Sequence, residues 1–114
     1  MAREQSNNRY QYEQRIKDDL NSLLRREIKD SRLTFVSFTR VELNQDYSLA
    51  KIYWDTFDPS KKTQISEALE KVGSRFRSLL AKRLQVRHTP SLKFFYDSQF
   101  EDELKIDKLI SEES

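Results

Sequence analysis

The stretch from residue 71 to residue 96 holds the side chains of this sequence with the clearest chemistry. It contains seven Lys and Arg residues and no Asp or Glu. Charges of both signs usually alternate on an exposed helix, because opposite charges at i,i+4 stabilise it and like charges repel. A segment of one sign creates a field that attracts a polyanion such as a nucleic acid. The candidate binding residues are the seven cations and the single histidine: Lys71, Arg75, Arg77, Lys82, Arg83, Arg87, His88 and Lys93.

The alternative interpretation of these cations is a charged face that only keeps the protein in solution. The excess of positive charge is confined to residues 71–96, because residues 1–70 carry twelve basic and twelve acidic side chains. Residues 97–114 carry seven acids against two lysines, a net charge of −5. The total of +2 therefore conceals a basic segment followed by an acidic one. Because guanidinium groups suit two-point contacts with phosphate, polyanion binding is the favoured interpretation.

Other kinds of chemistry have few residues to support them. The chain has no Cys, one His and one Gly, which excludes a disulfide framework, a thiolate zinc site and a glycine-rich phosphate loop. The acidic run Glu101-Asp102-Glu103 is typical of a solvated surface and not of an oriented acid–base pair. We therefore expect no catalytic residue, metal, cofactor or small-molecule substrate. The absence of cysteine, of a signal peptide and of a membrane span predicts a cytoplasmic protein without a membrane partner.

Hydrophobic spacing predicts the elements that must position the cations. Apolar residues at spacings of three and four predict a first helix over residues 8–29, with Asn8 and Gln11 as a capping pair. Two alternating apolar runs, over residues 35–43 and 50–55, predict an antiparallel hairpin with one packed face.

A second helical region begins at Asp58-Pro59, because Asp suits an N-cap and Pro suits the first helical position. Its apolar stripe continues to Leu84 but crosses Val72-Gly73-Ser74, where Gly costs a helix about 1 kcal/mol relative to Ala. One long helix with a tolerated Gly and a kink between two shorter helices are both compatible with this pattern. A third strand over residues 92–96 and a short amphipathic helix complete the chain.

This order of elements predicts one α+β domain in two layers, a three-stranded sheet covered by helices. It is also the order of the type II KH domain, a small RNA-binding fold. We expect a disordered N-terminus over residues 1–7 and a KH-like domain over residues 8–100. An acidic C-terminal segment with a short helix and a flexible end is expected over residues 101–114. We expect the domain to be a monomer.

In residues 77–98, a basic helical segment is followed by an Arg87-x-x-Pro90 turn and by a strand pattern that ends at Tyr96-Asp97-Ser98. Together with other ordered motifs, over about residues 9–109, this segment resembles the bacterial ribosome-binding factor A family. In that family a basic helix leads through an Arg-x-x-Pro turn into a strand that ends in Tyr-Asp-x-Ser or a similar sequence. The segment 77–98 resembles this signature, and its matching positions are Arg87, Pro90, Leu92, Phe94, Asp97 and Ser98.

Two further motifs of this family resemble earlier parts of the chain. Residues 46–53 resemble its second-strand motif, and Asp30-Ser31-Arg32-Leu33 resembles its Asp-Pro-Arg-Leu sequence with Ser in place of Pro. The family's kink sequence Ala-x-Gly falls on Val72-Gly73-Ser74, with the glycine one position early. The resemblance therefore favours a kinked helix at these three residues.

The resemblance implies a non-catalytic ribosome biogenesis factor that binds the immature 30S subunit and its rRNA. Members of the family support processing of the 5′ end of 16S rRNA and aid growth in the cold. They are degenerate KH domains, and the single glycine of this chain likewise leaves no Gly-x-x-Gly loop to clamp single-stranded RNA. A general RNA-binding or RNA-chaperone KH-like domain without subunit specificity is the alternative function.

The candidate contacts predict how RNA binding should depend on salt and which side chains should touch the RNA. Five phosphate contacts would give a logarithmic salt slope of roughly −3.5 to −4.5. His88 would either bond RNA or bond the local backbone. Tyr53 and Phe95 alternate away from the expected core and could stack on bases, although covering the second sheet face is the more usual role. The five contacts are expected from Arg75, Arg77, Lys82, Arg83 and Arg87.

Overall fold

In the computed structural model the described part of the chain is residues 2–98, with side chains described from residue 8 onward. Two helices and three strands follow one another: α1 (Ala2–Arg26), β1 (Val36–Leu43), β2 (Leu49–Thr56), α2 (Lys62–Leu84) and β3 (Ser91–Tyr96). Short 3-10 turns, Ser31–Leu33 and Pro59–Lys61, precede β1 and α2. The predicted α+β fold is confirmed, and the short helix expected within residues 101–114 lies outside the described residues. No helix in the described part is long and apolar enough to cross a membrane.

The three strands form one sheet with β2 in the centre. The antiparallel pairing of β1 with β2 confirms the predicted hairpin, and β3 pairs with β2 in parallel. A parallel pair needs a long crossover connection, which α2 supplies. The register shifts between Phe38 and Arg40, a β-bulge that adds one residue to β1. After the bulge, Val41 and Leu43 return to the buried side that Val36 and Phe38 also occupy.

Both helices pack on the same face of the sheet, where the hydrophobic core lies. Ile16 and Leu20 of α1, Trp54 of β2 and Phe76 of α2 are essentially inaccessible to solvent. The ring centroids of Phe38 and Phe76 are 5.6 Å apart in an edge-to-face arrangement. Truncation of Phe76 to Ala would cost about 3–5 kcal/mol. The α2 helix is therefore fixed on the sheet along its apolar side, and its other side is left for solvent or a partner.

The first helix differs from its prediction at both ends. It begins at Ala2, before the expected start at residue 8, and it ends at Arg26 instead of residue 29. The capping role predicted for Asn8 and Gln11 is wrong because both lie inside the helix. The sequence from Ala2 to Gln5 consists of good helix formers with no Gly or Pro to stop the helix. The helix assignment thus starts at Ala2, and the disorder expected over residues 1–7 stays a prediction.

The second helix is continuous through Val72-Gly73-Ser74, so the chain does not form two separate helices here, and a bend of the helix axis at these residues stays a prediction. Val72 packs against the core, and the buried residues Leu69 and Phe76 lie on either side of it in the helix. Burial of this apolar stripe offsets the roughly 1 kcal/mol that Gly costs in a helix. A Cβ atom added at Gly73 would lie 3.5 Å from a ring atom of Phe94 on β3. The helix therefore approaches the sheet closely at this glycine.

Phe35 lies outside the strand that was predicted to contain it. The strand begins at Val36, whose side chain is buried, whereas Phe35 is 65% exposed. Consecutive residues of an extended chain point in opposite directions, so Val36 and Phe35 cannot both face the core. The apolar run of the sequence therefore includes one aromatic residue that the fold leaves in solvent.

Candidate RNA-binding surface

Three of the candidate cations lie in a row along the exposed face of α2. Lys71, Arg75 and Lys82 are all exposed, and their spacing of four and seven residues places them on one helix face. The opposite face carries the buried residues Phe76 and Leu80. None of the three cations has an ion-pair partner among the described residues. We call Lys71, Arg75 and Lys82 the α2 basic row.

Arg83 is adjacent to this row in sequence but is engaged with α1. Its Nη1 atom lies 3.6 Å from Oδ1 of Asp19, and its side chain is only 33% exposed. Nη2 of Arg15 donates a hydrogen bond of 3.2 Å to the backbone carbonyl of Arg83. These contacts link the two helices. Because the Asp19 carboxylate partly offsets the charge of Arg83, this side chain attracts an anionic ligand less strongly than Lys82 does.

Arg77 projects from the other flank of α2 toward the turn before β3. Its Nη2 atom donates to the carbonyl oxygen of Thr89 at 2.9 Å, and its Nε atom donates to that of Pro90 at 3.2 Å. Two hydrogen bonds from one guanidinium group fix the turn relative to the helix. Arg77 is thus a positioning residue for the turn, and its placement gives it a structural role that the sequence analysis did not predict.

Arg87 and His88 are exposed in that turn, beyond the end of α2. The helix ends because Gln85 adopts a left-handed conformation, with φ at 52°, and donates its backbone N–H to the carbonyl of Ala81. Such a residue closes a helix and redirects the chain. The turn therefore places Arg87 and His88 near the Lys82 end of the α2 basic row.

Lys93 is exposed but belongs to a different surface. It lies on β3 opposite Lys51 of β2, on the sheet face that carries no helix. Side chains alternate across a strand, so Lys93 faces away from the layer to which the α2 basic row belongs. The structure therefore brings together five of the eight candidates, separates Lys93 from them, and engages Arg77 and Arg83 in internal contacts.

The open sheet face carries the two aromatic residues considered for base stacking. The ring centroids of Tyr53 and Phe95 are 5.7 Å apart, and the guanidinium carbon of Arg40 lies 3.9 Å above the Tyr53 ring. Desolvation, with the nearby carboxylate of Glu42, raises the pKa of the Tyr53 hydroxyl. Because Arg40 covers Tyr53, the exposed ring surface of this pair is mostly that of Phe95, and base stacking here stays a prediction.

The sequence analysis missed a second exposed aromatic pair, next to the C-terminal end of β2. Phe35 precedes β1, Phe57 follows β2, and their ring centroids are 6.3 Å apart at an angle of 82°. Phe57 is 90% exposed. The only sequence signal was a bulky aromatic residue directly before the helix-starting Asp58-Pro59, where a turn and not a strand was expected.

The described residues contain no group of three or more His, Asp or Glu side chains that could hold a metal ion. The exposed cations and rings described above suit binding by charge and by stacking. Phosphate oxygens would meet the cations, and nucleobases would meet the rings.

Comparison with known proteins places this arrangement in a family. The sequence profile of ribosome-binding factor A matches residues 8–110. The ribosome-binding factor A of Francisella philomiragia is 42% identical over 92 residues, which cover 77% of this chain and 64% of that protein. The factor of Burkholderia cenocepacia is 40% identical over 108 residues, which cover 93% of this chain and 80% of that protein.

Solved structures show the same fold. The crystal structure of ribosome-binding factor A from Thermus thermophilus has a TM-score of 0.71 at 25% identity, covering 77% of this chain and 93% of that one. A homology model of the Thermus thermophilus factor, fitted into a cryo-electron microscopy map of its complex with the 30S subunit, has a TM-score of 0.63 at 24% identity. That likeness covers 75% of this chain and 90% of the other. With a profile match over nearly the whole sequence, this chain belongs to the ribosome-binding factor A family.

Proposed function

We propose that this protein is a non-catalytic assembly factor that binds the immature 30S ribosomal subunit through the α2 basic row and the turn with Arg87 and His88. The observation that carries the proposal is this row of cations on the exposed face of a helix, without ion-pair partners in the described part of the chain, in a member of the ribosome-binding factor A family. The Thermus thermophilus factor fitted into a map of a 30S complex supports the choice of partner.

The row would contact the phosphates of folded rRNA. Along the helix axis Lys71 and Arg75 are separated by about 6 Å, and Arg75 and Lys82 by about 10 Å. Arg75 would contact a phosphate through two donors, and the lysines would act as point charges. A helix face of cations reads the shape of RNA and offers little contact with base edges. Specificity for the subunit would therefore come from the fold of its RNA.

The biological outcome that we propose is maturation of 16S rRNA, including processing of its 5′ end. The protein would act as a monomer in the cytoplasm, and its contribution would be most needed in the cold, where misfolded RNA is slow to rearrange. It would hold an RNA conformation that processing enzymes can use, without cleaving RNA itself. In cells that lack the protein, we expect precursor 16S rRNA to accumulate at low temperature and free 30S subunits to increase.

The binding surface can be tested with two variants that each remove two exposed positive charges. Arg75→Gln with Lys82→Gln alters the α2 basic row, and Lys51→Gln with Lys93→Gln alters the open sheet face. Because each lost phosphate contact reduces the salt slope by about 0.7–0.9, we expect the first variant to bind 30S subunits about 10- to 100-fold more weakly at physiological salt. The second should bind nearly as the natural protein does. Co-sedimentation and the cellular precursor assay measure both.

Two results would overturn the proposal. Equal losses for both variants would mean that binding follows total charge and not the α2 basic row. Equal binding of the natural protein to 30S subunits, 50S subunits and assembled ribosomes would favour a general RNA-binding or RNA-chaperone domain. A folded state unchanged in circular dichroism would show that lost binding is not lost structure.

A further inference from the structure

The exposed aromatic pair lies at one end of the β-hairpin, outside the core. Val36 and Thr56 are partners in the β1–β2 ladder, so the residues next to them, Phe35 and Phe57, are brought together at one end of the hairpin. Their rings are nearly perpendicular, at 82°. A side chain as large as Phe is seldom left 90% exposed in a small domain. The pair is therefore an apolar surface without a partner among the described residues.

Grooves lie on both sides of the pair, and cations line them. The first, of about 640 Å³, contains Arg25 and Lys29, and the second, of about 670 Å³, contains Arg32 and Lys61. Volumes of this size suit a small ligand or a nucleotide. Arg25, Lys29 and Lys61 have no ion-pair partner among the described residues.

The acidic residues of the same grooves are already engaged with the protein. Asp30 forms a 2.7 Å ion pair with Arg32, and hydrogen bonds from Arg32 lower the pKa of Asp30 to about 2. Asp58 caps the turn before α2 by accepting a 3.1 Å hydrogen bond from the backbone N–H of Ser60. The charge left for a ligand is therefore positive, which favours an anionic partner.

The size of the surface favours a nucleobase over a folded protein. A buried aromatic side chain covers about 150–250 Å², so the pair offers at most about 500 Å². A stable protein interface needs about 800 Å² from each partner, and the surroundings of the pair are polar or charged. A base that stacks on one ring needs only one exposed ring face, and flanking cations would meet its phosphates.

The pair also lies near the surface of the proposed function. The turn Ser31–Leu33 lines the grooves and packs against α2, and the positive charge of Lys71 contributes to the lowered pKa of Asp30. An RNA bound along the α2 basic row could therefore continue past Lys71 to Phe35 and Phe57.

We infer that Phe35 and Phe57 form a stacking site for unpaired bases of single-stranded RNA, with Arg25, Lys29 and Lys61 contacting the adjacent phosphates. This inference rests on the proposed function, because the strand would be rRNA of the 30S subunit that the α2 basic row holds. The site would add a preference for unpaired RNA to a surface that otherwise reads only shape.

The test compares variants of Phe57, which is so exposed that substitution should not affect folding. Stacking is worth about 1–3 kcal/mol per base, so Phe57→Leu should weaken binding of an unstructured RNA of about 12 nucleotides by about 5- to 150-fold. Phe57→Trp keeps a flat ring and should bind at least as well as the natural protein. The same RNA annealed to its complement should bind Phe57→Leu and the natural protein equally.

The inference would be overturned if Phe57→Leu bound the single strand as the natural protein does. It would also be overturned if Phe57→Leu weakened single-strand and duplex binding equally. The proposed function is tested separately, because the Arg75→Gln, Lys82→Gln variant measures subunit binding with both rings intact. If Phe57→Leu bound the single strand normally while the Arg75→Gln, Lys82→Gln variant lost 30S binding, the proposed function would stand. Only the base-binding site would then be rejected.

Discussion

The three arginines of the α2 segment differ in role because their guanidinium groups reach different partners. Arg75 faces solvent, Arg83 meets the carboxylate of Asp19, and Arg77 donates to two backbone carbonyls. An arginine has five N–H donors, so two hydrogen bonds to the turn leave Arg77 charged but fixed in direction. Position on the helix, and not residue type, decides which cation is available to RNA.

Asp55 provides a residue-scale prediction about stability. Partial burial and the neighbouring charge of Asp97 raise the pKa of Asp55 above its ordinary value of 3.8. A carboxyl group with a raised pKa in the folded state disfavours folding when it is ionised, and this cost disappears as the pH falls through that pKa. Asp55→Asn should therefore stabilise the protein at neutral pH, by a few tenths of a kcal/mol because the side chain is partly solvated.

Urea unfolding at neutral pH and at pH about 4 measures this effect. We expect the difference between Asp55→Asn and the natural protein to shrink at the lower pH, because the raised pKa of Asp55 lets the folded state take up its proton more readily than the unfolded state does. Asp18→Asn removes the same charge from an exposed position of α1 and serves as the control. A stabilisation that is the same at both pH values, or that Asp18→Asn reproduces, would contradict the assignment.

At the residue scale the sequence predicts which side chains are chemically useful but not what they touch. The bias of charge in residues 71–96 is visible in the sequence, and so is the face that Lys71, Arg75 and Lys82 share. The contacts of Arg77 with Thr89 and Pro90 depend on how closely the turn returns to the helix, which no local pattern specifies. Phe57 was missed because a single aromatic residue in a turn has no periodicity to show where it points.

At the element scale, Gly73 shows how packing overrides local preference. Glycine destabilises a helix through the entropy of its backbone, yet α2 passes through it without interruption. The apolar stripe on both sides of Gly73 is buried against the sheet, and this burial stabilises the whole helix. The sequence pattern allowed either one helix or two, and tertiary contacts with β3 decided between them.

Gly73→Ala is the prediction that follows for this element. A Cβ atom at this position would make an ordinary van der Waals contact of 3.5 Å with Phe94, so Ala fits without displacing the strand. Because Ala loses less conformational freedom on helix formation, the variant should be more stable by about 0.5–1 kcal/mol. Ser74→Ala, on the exposed side, is the control and should stabilise less. Chemical denaturation measures both, and a destabilised Gly73→Ala would indicate that the helix needs flexibility here.

Element boundaries were less predictable than element types. The order of helices and strands follows from periodicities that extend over many residues, and the structure has the same order. The start of α1 at Ala2 was missed because an apparent capping pair at Asn8 and Gln11 suggested a boundary where good helix formers simply continue. A cap is a local signal, and a longer run of favourable residues can override it.

At the scale of the whole molecule, the fold distributes charge over two layers. The α2 basic row lies on the helical layer, and Lys51 and Lys93 lie on the open face of the sheet. The sequence places all these cations in one protein but cannot assign them to faces until the sheet is assembled. A ligand that binds one layer contacts only the cations of that layer. The number of phosphate contacts is therefore smaller than the number of cations in residues 71–96.

The salt dependence of 30S binding tests this distribution. Four cations of the surface are exposed and without ion-pair partners among the described residues: Lys71, Arg75, Lys82 and Arg87. Four phosphate contacts give a logarithmic slope of roughly −2.8 to −3.6. This is shallower than the slope of the five contacts expected from sequence, because Arg77 and Arg83 are engaged and only Lys71 is added. Raising the salt concentration about fourfold should weaken binding by about 50- to 150-fold.

Lys82 and Arg83 form a matched pair for this test, because they are adjacent on one helical turn and each carries one positive charge. Lys82→Gln should reduce the slope by about 0.7–0.9, the share of one phosphate contact. Arg83→Gln should leave the slope nearly unchanged, because the Arg83 guanidinium is directed to Asp19, at 3.6 Å, and not to a phosphate. Equal reductions would show that the ion pair opens on binding and that Arg83 contacts RNA. The four-contact surface would then have to be extended to the flank of α2 that faces α1.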